Sequence, residues 1–479
     1  MYHSRAAGNN FLLYVIAFVA DINFVISGVI MGWPQSVLPQ LLSANSSIPL
    51  TYDEGAWVAS ISYAGFFTGG IVSLFVASRF GVRRTLLIGI VPGLAGWIII
   101  AVATSYWELL VGRFILGCTV GMCCDQSESY IAELSPSKIR GRLCASCSVS
   151  VHLGLVLSFA LGPYLSITST AAIYIGISIV YIIIFFTLAP ETPFWYAKRG
   201  DHEKSRNCLR RLRRTNDIGR EYEEVLHFVA KDTISFKSNI SVGDKLKRIL
   251  SRIENRKAIL IVILLTTGQQ FTGIQAMNNY AELVFERSVT IIPAKYVSIL
   301  LGLCELVFTI VGSALIDVFG RKKLYTGAGF ICATLMTLMG VYFHLQYVGL
   351  STDGWELLPI VLILLFAISY STGMASVAAV FAGECYSSEM RVMGMTIKTV
   401  FFCTSGLIVT KLWQVIASAV GDQYSFWTVA IITYIYVLIL HFIQPETKGK
   451  TLAEIQVALS GKSYWVTSKS KENVYDLQL

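Results

Sequence analysis

Apolar runs long enough to cross a bilayer recur along the whole 479-residue chain, with short polar stretches between them. Lipid obliges a spanning segment to satisfy its own backbone hydrogen bonds, so such runs are read as helices. The pattern predicts helices over 11–32, 54–77, 85–104, 107–131, 143–165, 170–189, 257–280, 297–316, 325–346, 356–383, 394–417 and 424–443. Phe11–Gly32 is followed by similar runs throughout, which sets it apart from a cleaved leader. Glycine and proline inside the runs, as at Pro92-Gly93, Gly117 and Gly121, suit close helix packing and local bends. The pattern is interrupted once, between the sixth and seventh runs, where Glu203–Glu224 reads as short polar surface helices. The expected architecture is an all-α membrane protein with twelve transmembrane helices in two pseudo-symmetric six-helix bundles. Its parts are an N-terminal bundle over 11–189, a basic cytoplasmic linker over 190–256, a C-terminal bundle over 257–443 and a cytoplasmic tail over 444–479.

Composition supports the same class, with 54% hydrophobic and 14% charged residues and a mean hydropathy of +0.62. Charge then orients the chain. Arg79, Arg83 and Arg84 follow the second run, Lys138, Arg140 and Arg142 the fourth, and Arg321, Lys322 and Lys323 the eighth, while Arg391 lies between the tenth and eleventh. The intervening connection Asn45–Glu54 has no Lys or Arg. By the positive-inside rule both termini and the basic turns are expected in the cytoplasm. Asn45-Ser46-Ser47 is then an exterior glycosylation candidate, and Asn239-Ile240-Ser241 a silent cytoplasmic copy. Residues 198–257 hold seventeen Lys/Arg against nine Asp/Glu, a net +8 that equals the charge of the entire chain. Anionic lipid beside a cytoplasmic loop accounts for that excess without nucleic acid. Nine of the ten cysteines lie in or beside apolar runs and Cys208 lies in the basic loop, which argues against a disulfide framework. Cys144-x-x-Cys147 lacks a βαβ context and reads as packing.

The two halves echo each other. Arg79-Phe80-Gly81-Val82-Arg83-Arg84 matches Val318-Phe319-Gly320-Arg321-Lys322-Lys323. Glu133 with Arg140 matches Glu384 with Arg391, and Pro190-Glu191-Thr192-Pro193 matches Pro445-Glu446-Thr447-Lys448. The offsets are 239, 251 and 255 residues, as expected of duplicated halves with unequal loops. Repeats of this sort build transporters that open alternately to either side. Glycine lets helix ends approach, while the duplicated Glu and Arg positions supply ion pairs that latch one state; a static brace is the plain alternative.

These motifs resemble those of sugar porters of the major facilitator superfamily, nearest to glucose-transporter-like proteins and the insect trehalose transporters. The resemblance is carried by Gly112-Arg113-Phe114, Tyr130-Ile131-Ala132-Glu133 with Pro136 and Arg140-Gly141, Pro190-Glu191-Thr192-Pro193, Gly268-Gln269-Gln270 with Thr272-Gly273, Asp317 with Gly320-Arg321, and Pro445-Glu446-Thr447-Lys448-Gly449. It implies the major facilitator fold, a rocker-like motion and a hexose site mostly in the second half. It also implies gating ion pairs among Arg83, Arg113, Glu133, Arg140, Asp317, Arg321, Glu384 and Arg391. The family's sugar-reading glutamine pair matches Gln269 and Gln270, whose amides each offer a donor and an acceptor. Gln275 stands where the family has asparagine, Asn278 is a further amide, and the gating tyrosine pair survives as Asn279-Tyr280. On one helix Gln269, Thr272 and Gln275–Ala276 form an aligned row. Ser148 replaces the fifth-span glutamine and Glu305 the eighth-span asparagine. Gly373–Ala379 replaces the tenth-span Gly-Pro-Gly-Pro-x-x-Trp, Glu128 a proline before Tyr130, and Ser78 the acid of the second-span motif.

Asp125, Glu128 and Glu305 are expensive residues for a hydrocarbon span, and His152 is a further titratable group. They are candidates for proton coupling, or they pair with Arg113, Lys398 or Lys411, or they lie near a wet cavity. No nucleophile–base set, metal motif or nucleotide loop stands out, so no enzyme activity, cofactor or metal is expected. The remaining functions are transport of a sugar or polyol, facilitative or proton-coupled, and a transporter-shaped nutrient receptor. The expected partners are a small polar substrate, membrane lipid and protons, with the chain acting as a monomer in the cell membrane.

Overall fold

The computed structural model describes residues 11–215, 217–237, 252–288, 292–350, 354–386, 391–450 and 452–460. Asn239 and the side chain of Arg391 lie outside the described residues. Every regular element among the described residues is helical. The first half holds α1 (Phe11–Leu42), α2 (Tyr52–Phe80), α3 (Val82–Val102), α4 (Tyr106–Leu134), α5 (Ser137–Leu161) and α6 (Ile167–Leu188). Three short helices follow, α7 (Pro193–Lys198), α8 (His202–Arg213) and α9 (Gly219–Lys237). The remainder comprises α10 (Ile253–Phe271), α11 (Ile274–Ser288), α12 (Ala294–Phe319), α13 (Arg321–Tyr347), α14 (Leu358–Ser369), α15 (Ser376–Cys385), α16 (Arg391–Val420), α17 (Asp422–Ile443) and α18 (Leu452–Ser460). Twelve of the helical runs are long and apolar enough to cross a membrane.

Two runs differ from the sequence expectation in an informative way. The first continues from the expected end at Gly32 to Leu42, through Pro34 and Pro39. Pro34 has no N–H for the Ile30 carbonyl four residues back, and the Arg113 Nη1 donates to that oxygen instead, at 2.5 Å. The seventh, expected as one helix over 257–280, is broken into α10 and α11 at Thr272-Gly273. Gly273 has φ +85°, a left-handed conformation that glycine adopts without steric cost. Thr272 Oγ1 donates to the Gln269 carbonyl at 2.7 Å and meets the first amide of α11. The expected single row of Gln269, Thr272 and Gln275 therefore spans a break in the helix.

The fold divides into two compact units, one of Met1–Ser238 with Ala276–Leu306 and Thr410–Val415, the other of Asn239–Gln275 with Val307–Val409 and Ile416–Leu479. In the first, α2 and α4 touch backbone to backbone. Gly65 and Gly69 face Phe114 and Cys118, while Gly117 and Gly121 face Ser62 and Phe66, and a Cβ at any of the four would collide with the opposite main chain. Two facing Gly-x-x-x-Gly stripes thus supply van der Waals contact where lipid gives no hydrophobic drive. Ala197, Leu209, Ile218, Tyr222 and Val225 form a small core under α7, α8 and α9. Arginines close the carbonyl ends of three spans: Arg199 Nη2 donates to Arg79 O of α2 at 2.8 Å, Arg213 Nη2 to Leu134 O of α4 at 2.8 Å, and Arg83 Nη2 to Phe186 O of α6 at 2.7 Å. Cations at helix C-termini answer both the orphan carbonyls and the dipole.

In the second unit, Phe343 of α13 stacks on Phe426 of α17 with centroids 5.1 Å apart. Tyr325 donates to the Leu265 carbonyl of α10 at 3.4 Å. Between α14 and α15 the chain widens into a π turn, Tyr370–Ala375. There the Ser376 hydroxyl donates to the Ser371 carbonyl at 2.9 Å, and Gly373 sits against Ala328 and the Leu324 carbonyl of α13.

Candidate functional site

The amide-rich segment straddles the break between α10 and α11. Gln270 is fully buried, and neither its amide oxygen nor its nitrogen has a hydrogen-bond partner among the described residues. A buried amide left in that condition is costly. Gln269 and Gln275 are half-buried. Asn278, Asn279 and Tyr280 are buried in the first turns of α11, and Tyr280 donates its hydroxyl to the Thr410 carbonyl at 3.3 Å.

Glu305 of α12 is 1% exposed. Asn278 Nδ2 donates to its Oε2 at 3.3 Å, His152 Nε2 of α5 lies 3.8 Å from the same oxygen, and Oε1 has no partner among the described residues. His152 Nδ1 lies 2.8 Å from the Ser148 carbonyl. Ser148 itself is exposed, and so are Asp125 and Glu128 on one face of α4. Among the described residues the ion-pair neighbour of Glu305 is His152 rather than Arg113, Lys398 or Lys411. Arg113, 1% exposed, donates to Val58 O at 3.1 Å, Ile30 O at 2.5 Å and Ser62 Oγ at 3.1 Å, and stacks over Trp33. Lys411 pairs with Asp53 at 2.5 Å.

At the basic turns the repeated motifs become repeated geometry. In the first unit Gly81 has φ +93° and carries the chain from α2 into α3, where Glu191 accepts the Arg83 amide at 3.0 Å. In the second, Gly320 has φ +84° before α13, and Glu446 accepts the amides of Arg321 at 2.9 Å and Lys322 at 3.1 Å. A Cβ on either glycine would strike the carboxylate at 2.6 Å. Each glutamate is thus an anion seated on a helix N-terminus. Their titration differs. Burial pushes the Glu191 carboxyl up, against the amides of Arg83 and Thr192. Burial also raises Glu446, but the amides of Lys448, Arg321, Lys322 and Thr447 outweigh it and hold the carboxyl below its ordinary value.

The ion pairs are less symmetric than the motifs. Arg321 joins Glu384 at 2.6 Å and Asp317 at 3.2 Å, and the Thr447 hydroxyl donates to Glu384 at 2.6 Å. In the first half Ser78 and Val82 stand at the positions of Asp317 and Arg321. Glu133 there accepts the Ser129 hydroxyl at 3.1 Å, and Arg140 donates to the Ser135 carbonyl at 3.1 Å.

Two groups escaped the sequence reading. Asp21 of α1, 6% exposed, accepts the Ser146 hydroxyl at 2.6 Å and leaves Oδ1 unpartnered among the described residues. Its signal was the one already applied to Asp125, an acid inside an apolar run. Glu282 of α11 is 4% exposed and sits one helical turn beyond Asn278. Among the described residues no group of three or more His, Cys, Asp or Glu is placed to hold a metal.

The family model for sugar (and other) transporters matches residues 13–459, and the chain belongs to that family. It is 30% identical over 438 residues to the facilitated trehalose transporter Tret1 of Bombyx mori, covering 91% of this chain and 85% of that protein. To the Tret1 of Apis mellifera ligustica it is 28% identical, covering 94% and 89%. Among solved structures, the proton:xylose symporter XylE bound to 6-bromo-6-deoxy-D-glucose superposes with a TM-score of 0.75 at 21% identity, covering 94% of this chain and all 100% of that one. The inward-open form of XylE from E. coli gives 0.75 at 20% identity, covering 93% and 99%. The protein is a multi-pass, all-α membrane protein of the twelve-helix major facilitator fold. Its family and relatives are sugar transporters rather than enzymes.

Proposed function

We propose that the protein is a facilitative sugar transporter that takes a neutral sugar or polyol across the cell membrane by alternating access, with trehalose first among the substrates to be tried. Family membership supports sugar transport, and relatives named for trehalose put that sugar at the head of the list. The observation that carries the site is Gln270, buried with both amide atoms unpartnered among the described residues. An amide reads a pair of neighbouring hydroxyls by giving to one and accepting from the other. Gln269, Gln275, Asn278, Asn279 and Tyr280 extend that polar row across the helix break, and Glu305 and Ser148 complete the proposed contacts. Access would alternate as the bundles over 11–189 and 257–443 rock, with the Arg321–Glu384–Asp317 network, Glu133, Arg140, Arg83, Arg113 and Arg391 at the basic turns. Those turns and both termini face the cytoplasm in this reading. Asn45, exposed in the loop after α1, is the glycosylation site, and the monomer is the working unit.

Uptake in a transporter-deficient cell, compared across trehalose, glucose, fructose and polyols, tests the proposal. One of them should accumulate to the outside concentration, and Gln270→Ala should lower its uptake efficiency about ten- to hundredfold, the worth of one or two lost hydrogen bonds, with surface expression retained. No uptake of any of them removes the transport reading. Normal uptake by Gln270→Ala removes the site.

A further inference from the structure

We propose that His152 and Glu305 together hold one proton and that this proton fastens α5 to α12, so that sugar transport depends on pH. The dependence of transport rests on the reading above, whereas the proton site rests on geometry alone. A carbonyl oxygen only accepts, so the 2.8 Å contact with Ser148 O requires a hydrogen on His152 Nδ1. The ring therefore turns Nε2 toward Glu305 Oε2, at 3.8 Å. If the imidazole were neutral and the carboxyl ionised, a lone pair would face a carboxylate that is 1% exposed and has one oxygen without a partner among the described residues. Acceptor against acceptor at such depth is doubly unfavourable, because a buried carboxylate held by one neutral amide keeps most of its desolvation penalty.

One additional proton, taken from water, removes both faults. Placed on Nε2 it makes an ion pair, and placed on the carboxyl it removes the buried charge that the Nε2 lone pair faces. The two placements are one titration of the pair. Among the described residues no other ion-pair neighbour of Glu305 supplies the charge. From α11, Asn278 gives a neutral amide, and Glu282 lies within the influence of Glu286 and of Lys295 on α12. Cys304 is the neighbour of Glu305 in sequence. Of the helices packed on α5, α4 brings Asp125 and Glu128, and α1 brings Asp21, held by Ser146. Among the described residues His152 is the one ion-pair neighbour of Glu305. The side chains are 15% and 1% exposed respectively, so the imidazole is the door through which the proton enters. Loss of the proton sets the two helices against each other at this contact, and its return draws them together.

Infrared difference spectra of the reconstituted full chain, titrated from about pH 5 to about pH 8, read the site without transport. A titrating band of the pair is expected, removed by Glu305→Gln and shifted by His152→Gln. In uptake assays the wild-type rate should change by up to about tenfold per pH unit on one side of the profile, the slope of one required proton. Glu305→Gln, which presents a fixed amide, should flatten that profile. If Glu305→Gln does not fold, the shift in His152→Gln carries the test. A spectrum unchanged by both substitutions, or an uptake profile that both leave intact, overturns the proposal. A titrating band in a protein that carries no sugar at any pH would sustain the proton site and overturn the transport reading instead.

Discussion

Arg113 brings a full positive charge into the first unit, and among the described residues it meets neutral acceptors and an aromatic face rather than a carboxylate. Pro34 explains one of those acceptors. A proline in mid-helix orphans the carbonyl of Ile30, and the guanidinium supplies the donor that the main chain lacks. The planar fork also reaches α2 at Val58 and Ser62, which an ammonium on a single stem does poorly. Arg113→Leu should therefore destabilise the purified protein by about 3 kcal/mol, through lost charge-assisted hydrogen bonds and a stranded Ile30 carbonyl. Arg113→Lys should recover part of this. Thermal unfolding in detergent measures both, and equal melting of Arg113→Leu and wild type would refute this account. Gln270 is the opposite kind of residue, buried without partners among the described residues, and its proposed worth is to be sought in uptake rather than in melting.

At the scale of the element, the two glycine-to-helix junctions share one geometry and differ in charge behaviour. Glu446 is held below its ordinary pKa by four amides despite burial. Its stabilising contribution is present at neutral pH and is lost as pH falls through the depressed folded value. Glu191 is raised by burial, so its charged form weakens the fold at neutral pH and the penalty lifts as pH falls through the raised value. Glu446→Gln should lower the melting temperature at about pH 7, and by less near pH 3, below the ordinary glutamate value of about 4.3. Glu191→Gln should be milder at neutral pH. Melts of both variants at the two pH values check the contrast, and equal losses at neutral pH would contradict it. Gly81 and Gly320 permit these junctions twice over, by positive φ and by leaving room for the carboxylate.

For the whole molecule, the duplicated motifs built one full ionic network and one partial copy. Arg321, Asp317 and Glu384 form the network in the second unit, whereas Ser78 and Val82 leave Glu133 with a hydroxyl. Neutralising Arg321→Gln should reduce uptake several-fold, within the range of coupling energies of about 1–3 kcal/mol, and Glu133→Gln should reduce it less. Uptake normalised to surface protein decides this, and a larger loss in Glu133→Gln would reverse the ranking. The twelve spans and the paired motifs were legible because long apolar runs and glycine–charge junctions are local signals. The break at Thr272-Gly273 was not, since a threonine and a glycine inside an apolar run read equally well as close packing. Nor were the carbonyl caps from Arg199 and Arg213, which depend on how α7 and α8 fold back on the bundle. His152 and Glu305 stood out singly as titratable residues, but 153 positions separate them, and no local pattern announces such a meeting.

The wide turn at Tyr370–Ala375 has a mechanical consequence. A π turn stores one residue more than an α-turn needs. If that surplus migrates along the chain, the residues it passes rotate by about 100° and advance by about 1.5 Å, the increments of one helical step. The ends of α14 and α15 keep their places meanwhile. Side chains along this stretch can thus exchange one face of the helix for another without any displacement of the loops that anchor it.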